Sequence, residues 1–155
     1  MIFISHKKED EEKALKLEKF LKEKDIDCYV DVLDSTITAT NVTERIVKNL
    51  RDANHLIVIF SEHTVKSMWV PFELGVSFER NNGIGVLLWP DNENTTLITP
   101  EYLDEFPIMK DANGVNKYIE LYKQQTVLME KYGFQKTASP KNYASTFIKS
   151  LKSKL

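Results

Sequence analysis

Trp69 and Glu73 stand four residues apart in the segment Trp69-Val70-Pro71-Phe72-Glu73. On a helix that spacing places both on one face. An indole beside a carboxylate suits a cationic or glycosidic substrate, because the ring gives an apolar wall and the carboxylate faces positive charge. The competing reading is structural, with Trp69 a partly buried core aromatic and Glu73 an ordinary surface acid. A second group of polar residues, Ser5-His6-Lys7, follows the apolar start Ile2-Phe3-Ile4. A hydroxyl, an imidazole and an ammonium in succession do not suit a cation site. Their structural readings are simple: a strand end, a cap on that end, and a surface charge.

Other familiar chemistry is missing from the sequence. No G-x-x-x-x-G-K-[ST] loop or G-x-G-x-x-G turn is present to cradle phosphates, and no G-x-S-x-G elbow. The chain holds only five glycines, too few to suggest close backbone approach to a phosphate. His6, His55 and His63 lack helical metal-ligand spacing. A receiver domain would need acidic residues after its first strand to hold magnesium, and Ser5-His6-Lys7 stands there instead. Cys28 is the single cysteine, which excludes an intrachain disulfide and a cysteine-rich zinc or iron–sulfur site.

The elements that must hold these residues alternate in period. Ile2 to Ser5 reads as a first strand. A charged helix is expected from Asp10 to Lys24, with Ala14, Leu17 and Leu21 as its apolar stripe and Phe20 beside it. Ile26 to Val30 reads as a second strand, and Asp31 to Thr40 as a loop. Asn41 and Glu44 have capping-box spacing before the stripe Val42, Ile46 and Leu50. Leu56-Ile57-Val58-Ile59-Phe60 is unbroken apolar sequence, as in a parallel strand covered on both faces. Ser67 is placed to cap a helix carrying Trp69, Val70, Leu74 and Phe78, with Pro71 tolerated in its first turn. Asn81-Asn82-Gly83 would stop that helix, and Ile84 to Leu88 gives a fourth strand. Beyond it lie a polar loop from Asp91 to Thr96, a brief edge strand from Phe106 to Met109, and a helix from Val115 to Lys131. That helix carries Tyr118, Leu121, Tyr122 and Gln125, and Gly133 would close it. A last helix begins at Ser139-Pro140 and carries Tyr143, Phe147, Ile148 and Leu151. The order β-α-β-α-β-α-β predicts an α/β doubly wound sheet with right-handed crossovers.

The chain has 155 residues, 42% of them hydrophobic and 28% charged, which predicts a single soluble domain over 1–155. A net charge of -2 gives no reason to expect nucleic acid or an anionic membrane as partner. The N-terminus reads as neither a signal peptide nor a membrane span, and one cysteine suits a reducing cytoplasm.

These blocks resemble the Toll/interleukin-1 receptor (TIR) domain family, and in particular small stand-alone bacterial antiphage-defence members. Ile2-Phe3-Ile4-Ser5-His6 is similar to the family's opening strand. Tyr29-Val30-Asp31 is similar to the end of its second strand, where the BB loop begins. Residues Asp52 to Ser61 resemble its third-strand block. Ser67-Met68-Trp69-Val70-Pro71-Phe72-Glu73-Leu74 resembles its Ser-x-Trp-x-x-x-Glu-Leu helix. Two departures stand out: Asp31 to Thr40 lacks the Pro-Gly or Gly common in the BB loop, and His6-Lys7 replaces the usual Tyr-Arg. The resemblance implies a three-layer flavodoxin-like sandwich, with a parallel sheet of about five strands flanked by helices. It implies cleavage of NAD+ between nicotinamide and ribose, with Glu73 catalytic and Ser5, His6, Lys7 and Trp69 lining the pocket. NAD+ is then substrate rather than cofactor, and no metal is needed. The product would be linear, cyclic or conjugated ADP-ribose, acting as a signal to a separate effector protein. Self-association through TIR contacts is also implied. Two alternatives stand beside it: a non-catalytic module of the same fold acting by homotypic assembly, and a nucleoside-processing enzyme such as a deoxyribosyltransferase, whose sheet is similar.

One carboxylate suffices for the first reading. Most glycosidases need two, because a sugar alkoxide must be protonated to leave. The nicotinamide of NAD+ is already cationic and departs neutral. What remains is to stabilise an oxocarbenium-like ribose, and fixed charge is commonly a large catalytic term.

Overall fold

A computed structural model describes residues 1–30, 39–65, 69–79, 84–88, 101–132 and 140–155. Strands β1 (Ile2–Ser5), β2 (Cys28–Val30), β3 (His55–Ile59), β4 (Ile84–Leu88) and β5 (Ile108–Met109) form one sheet in the order β2-β1-β3-β4-β5. Every pairing is parallel, and Ser5 at the end of β1 lies opposite Val58 of β3. The helices are α1 (Glu11–Lys22), α2 (Ala39–Asp52), α3 (Glu62–Val65), α4 (Trp69–Glu79), α5 (Ala112–Tyr132) and α6 (Pro140–Lys152).

Strand alternation divides the core between the two faces of the sheet. Ile2, Ile4, Ile57 and Ile59 pack with Leu17 and Leu21 of α1, Tyr118 of α5 and Phe147 of α6. Phe3, Leu56, Val58 and Phe60 pack on the other face with Ile46 and Leu50 of α2 and with Val70 and Leu74 of α4. All these side chains are buried. Both faces are thus covered, which is why β3 reads as unbroken apolar sequence.

The chain leaves β1 through α1 toward β2 on one side, then returns past β1 to β3 and continues to β4. The connections after β1 and β3 therefore diverge. In open parallel sheets such a divergence leaves a crevice at the carboxyl ends of the two strands, where ligands bind.

The first and fourth strands match their expected bounds. β2 is two residues shorter than expected, because the Ile26 N–H is taken by the Leu21 carbonyl in the turn closing α1. β3 lies one residue earlier than expected. α2 begins at Ala39, so Ala39 and Thr40 are helical, and Asn41 sits in the helix rather than capping it. Alanine's high helix propensity favours this earlier start. The one-turn α3 and the 3-10 turns Lys8–Asp10 and Glu101–Glu105 are too short to leave an apolar period in sequence. The expected Ser67 cap, the Asn81-Asn82-Gly83 stop, the Asp91-to-Thr96 loop, most of the BB loop and the Gly133 stop lie outside the described residues.

Candidate functional site at the carboxyl edge of the sheet

Ser5 is the last residue of β1 and is 6% exposed. Glu73 lies one turn into α4 and is 5% exposed. The Ser5 hydroxyl donates a hydrogen bond to Glu73 Oε2 across 68 residues of sequence. Glu73 is therefore not a surface acid. Val70 and Leu74, its helical neighbours, pack on the sheet and turn this side of α4 inward. A buried carboxylate is costly unless hydrogen bonds compensate it, and Ser5 supplies one.

His6 and Lys7 follow Ser5 and are half-buried. The Asp10 N–H donates to the Lys7 carbonyl at 2.8 Å, which closes the 3-10 turn behind them. Trp69 opens α4, one turn before Glu73; its side chain lies outside the described residues. The structure thus brings Ser5 and Glu73 into contact and places His6 and Lys7 at the same sheet edge.

The sequence reading missed two further polar residues on this edge. Asp10 is 1% exposed, and its Oδ2 accepts a hydrogen bond from the Ser61 hydroxyl. Lys13 Nζ stands 3.1 Å from the other carboxylate oxygen. Ser61 is also buried, directly beyond Phe60 at the end of β3. In sequence, Asp10 looks like one more charge at the start of a charged helix; only a pairing of both strand ends with carboxylates distant in sequence could have flagged it.

Burial, then the nearby Glu18 charge, pushes the Cys28 thiol up, which disfavours a thiolate nucleophile. Among the described residues no cluster of three or more His, Cys, Asp or Glu could hold a metal ion. No helix among them is long and apolar enough to cross a membrane.

A parallel sheet with both faces covered and a buried serine–carboxylate contact at its switch point defines an α/β protein of the class that binds ligands at that edge. A family model described as the TIR domain matches residues 2–123, and the chain belongs to that family. Among curated proteins, the chain is similar to the "Probable 2' cyclic ADP-D-ribose synthase TcpO" of Methanobrevibacter olleyae. The two are 37% identical over 73 residues, which cover 46% of this chain and 21% of that relative. The match thus spans about a fifth of the relative's length.

Proposed function

We propose that this chain is a single TIR domain over 1–155, a flavodoxin-like sandwich that cleaves the nicotinamide–ribose bond of NAD+. The observation that carries the reading is the buried Ser5–Glu73 hydrogen bond at the switch-point crevice. Family membership and the relative's printed name support NAD+ chemistry.

In this mechanism the bond between ribose C1′ and the nicotinamide nitrogen breaks, and its electron pair returns to the ring. Neutral nicotinamide leaves. Glu73, held by Ser5, stabilises the positive charge left on the ribose. A hydroxyl then attacks C1′ and gives up its proton to Glu73 or to solvent. If that hydroxyl belongs to the same molecule, the products are a cyclic ADP-ribose, nicotinamide and a proton, as the relative's name suggests. Trp69 is assigned the apolar wall that keeps water from the cation. Lys7 balances the diphosphate, and His6 faces the departing base. Self-association would complete the site, and a separate effector would respond to the product in antiphage defence.

Glu73→Gln keeps the shape of the side chain and its ability to accept from Ser5, but removes the charge. Its nicotinamide release should fall by about 10²-fold or more, with folding intact. Chromatography of NAD+ incubations, with protein matched by circular dichroism, checks this. Wild-type turnover in the variant would remove Glu73 from the mechanism.

A further inference from the structure

Two serine–carboxylate hydrogen bonds cross the switch point in opposite senses. Ser5 ends β1 and reaches Glu73, on a helix that follows β3. Ser61 follows β3 and reaches Asp10, which stands between β1 and α1. The first bond belongs to the catalytic assignment above. The second has no part in it.

Asp10 occupies the N-cap position of α1, where an aspartate ordinarily accepts a hydrogen bond from the helix's own first turn. Here its side chain makes no capping hydrogen bond. It turns instead to Ser61 and buries itself almost completely. Ser61 is in turn rigidly held. Its hydroxyl accepts from the His63 N–H at 3.1 Å, its N–H donates to Thr64 Oγ1 at 2.6 Å, and its carbonyl accepts from the Thr64 hydroxyl at 2.8 Å. Residues 6–9 therefore form a short arch with both feet anchored. One foot is Ser5, in the sheet; the other is Asp10, tied to the connection that leads from β3 toward α4.

We infer that Asp10 is a positioning residue: through Ser61 it fixes the arch carrying His6 and Lys7 relative to the β3–α4 connection. It thereby sets the width of the crevice for a dinucleotide diphosphate. The inference rests on the NAD+ reading of the site. Asp10 touches no reacting atom, so its loss should weaken substrate binding more than chemistry, because the Ser5–Glu73 contact remains.

The test uses Ser61→Ala, which deletes the donor, and Ser61→Thr, which keeps a hydroxyl. Ser61→Ala should raise KM for NAD+ by about fivefold or more, with kcat within about twofold, and Ser61→Thr should return KM toward wild type. A purely structural role would lower the amount of active protein and leave KM unchanged. If Ser61→Ala does not fold, Asp10→Asn carries the test. It keeps an acceptor but loses the charge that strengthens the bond, so KM should rise in the same direction by less. Hydrogen exchange of the 6–10 amides supplies a substrate-free measurement. It should speed up in Ser61→Ala while α5 and α6 keep wild-type rates, and slow again in Ser61→Thr. Unchanged KM in the folded variants, or unchanged exchange in the arch, overturns the inference. If wild type releases no nicotinamide, the NAD+ reading falls, and the exchange measurement alone decides whether Asp10 holds the arch.

Discussion

Buried polar residues stand at both ends of the sheet. At the carboxyl edge, Ser5 pairs with Glu73 and Ser61 with Asp10. At the amino edge, His55 opens β3 and is 3% exposed. Its Nδ1 lies 2.9 Å from the Tyr118 hydroxyl, and the rings of Tyr122 and Phe147 meet it edge-on, each at 5.0 Å. Burial, then the nearby N-terminal amino group, pushes the His55 pKa down to about 3. The sign follows from linkage. The unfolded chain binds a proton near pH 6.5 that the folded chain refuses until about pH 3. The stabilisation from a neutral His55 is thus fully present above pH 6.5 and is lost progressively as pH falls toward 3. Melting temperature should therefore drop between pH 7 and pH 5. The drop should be smaller in His55→Gln, which stays neutral throughout. Equal drops in both proteins would show that other groups set the acid sensitivity.

Helix ends decide several boundaries at the scale of elements. α1 is closed by two hydrogen bonds of the Schellman type, from the Ile26 N–H to the Leu21 carbonyl and from the Asp25 N–H to the Lys22 carbonyl, each 3.0 Å. Buried Leu21 and Ile26 flank this closure. It forces Asp25 to a φ of 58°, a conformation that glycine adopts without cost. Asp25→Gly should therefore stabilise the fold by roughly 0.5–1 kcal/mol, after allowing for glycine's greater freedom when unfolded. Chemical denaturation checks this, and a lower midpoint would show that the aspartate side chain contributes something else. α5 starts more conventionally: Asp111 Oδ1 accepts from the Gly114 N–H at 2.8 Å. A Cβ on Gly114 would lie 3.1 Å from the Leu155 side chain and 3.3 Å from the backbone of Met109, so any larger residue would make these neighbours give by a few tenths of an ångström.

For the whole molecule, the strand order matters more than any one element. It puts the ends of β1 and β3 side by side with their connections departing in opposite directions. Residues 68 positions apart, and another pair 51 apart, meet only because of that order. A TIR domain that completes its site by assembly should show specific activity rising with protein concentration. Heterologous contacts between copies close into a ring or propagate into a filament. Light scattering and NAD+ turnover, measured over the same dilution series, should rise together. A particle that stays monomeric with concentration-independent turnover would show that each chain carries a complete site.

The sequence alone determined the succession of strands and longer helices, because alternation and helical stripes are local properties of the chain. It located β1 and β4 to the residue, and it singled out Glu73 by its spacing from Trp69 and by resemblance. It placed the boundaries of β2 and α2 less well, since those depend on which backbone groups a neighbouring turn has already claimed. Whether Glu73 was a surface acid or a buried one was open in the sequence, because either suits an i, i+4 partner of Trp69. Tertiary structure decided it by packing Val70 and Leu74 on the sheet and bringing Ser5 within hydrogen-bonding reach. The same holds for Asp10. Along the chain it is an N-terminal helix charge, whose ordinary partner is the helix itself. It becomes a tie between the two strand ends only when β1 and β3 lie side by side, because pairing between residues so distant in sequence is set by strand order and not by any local pattern.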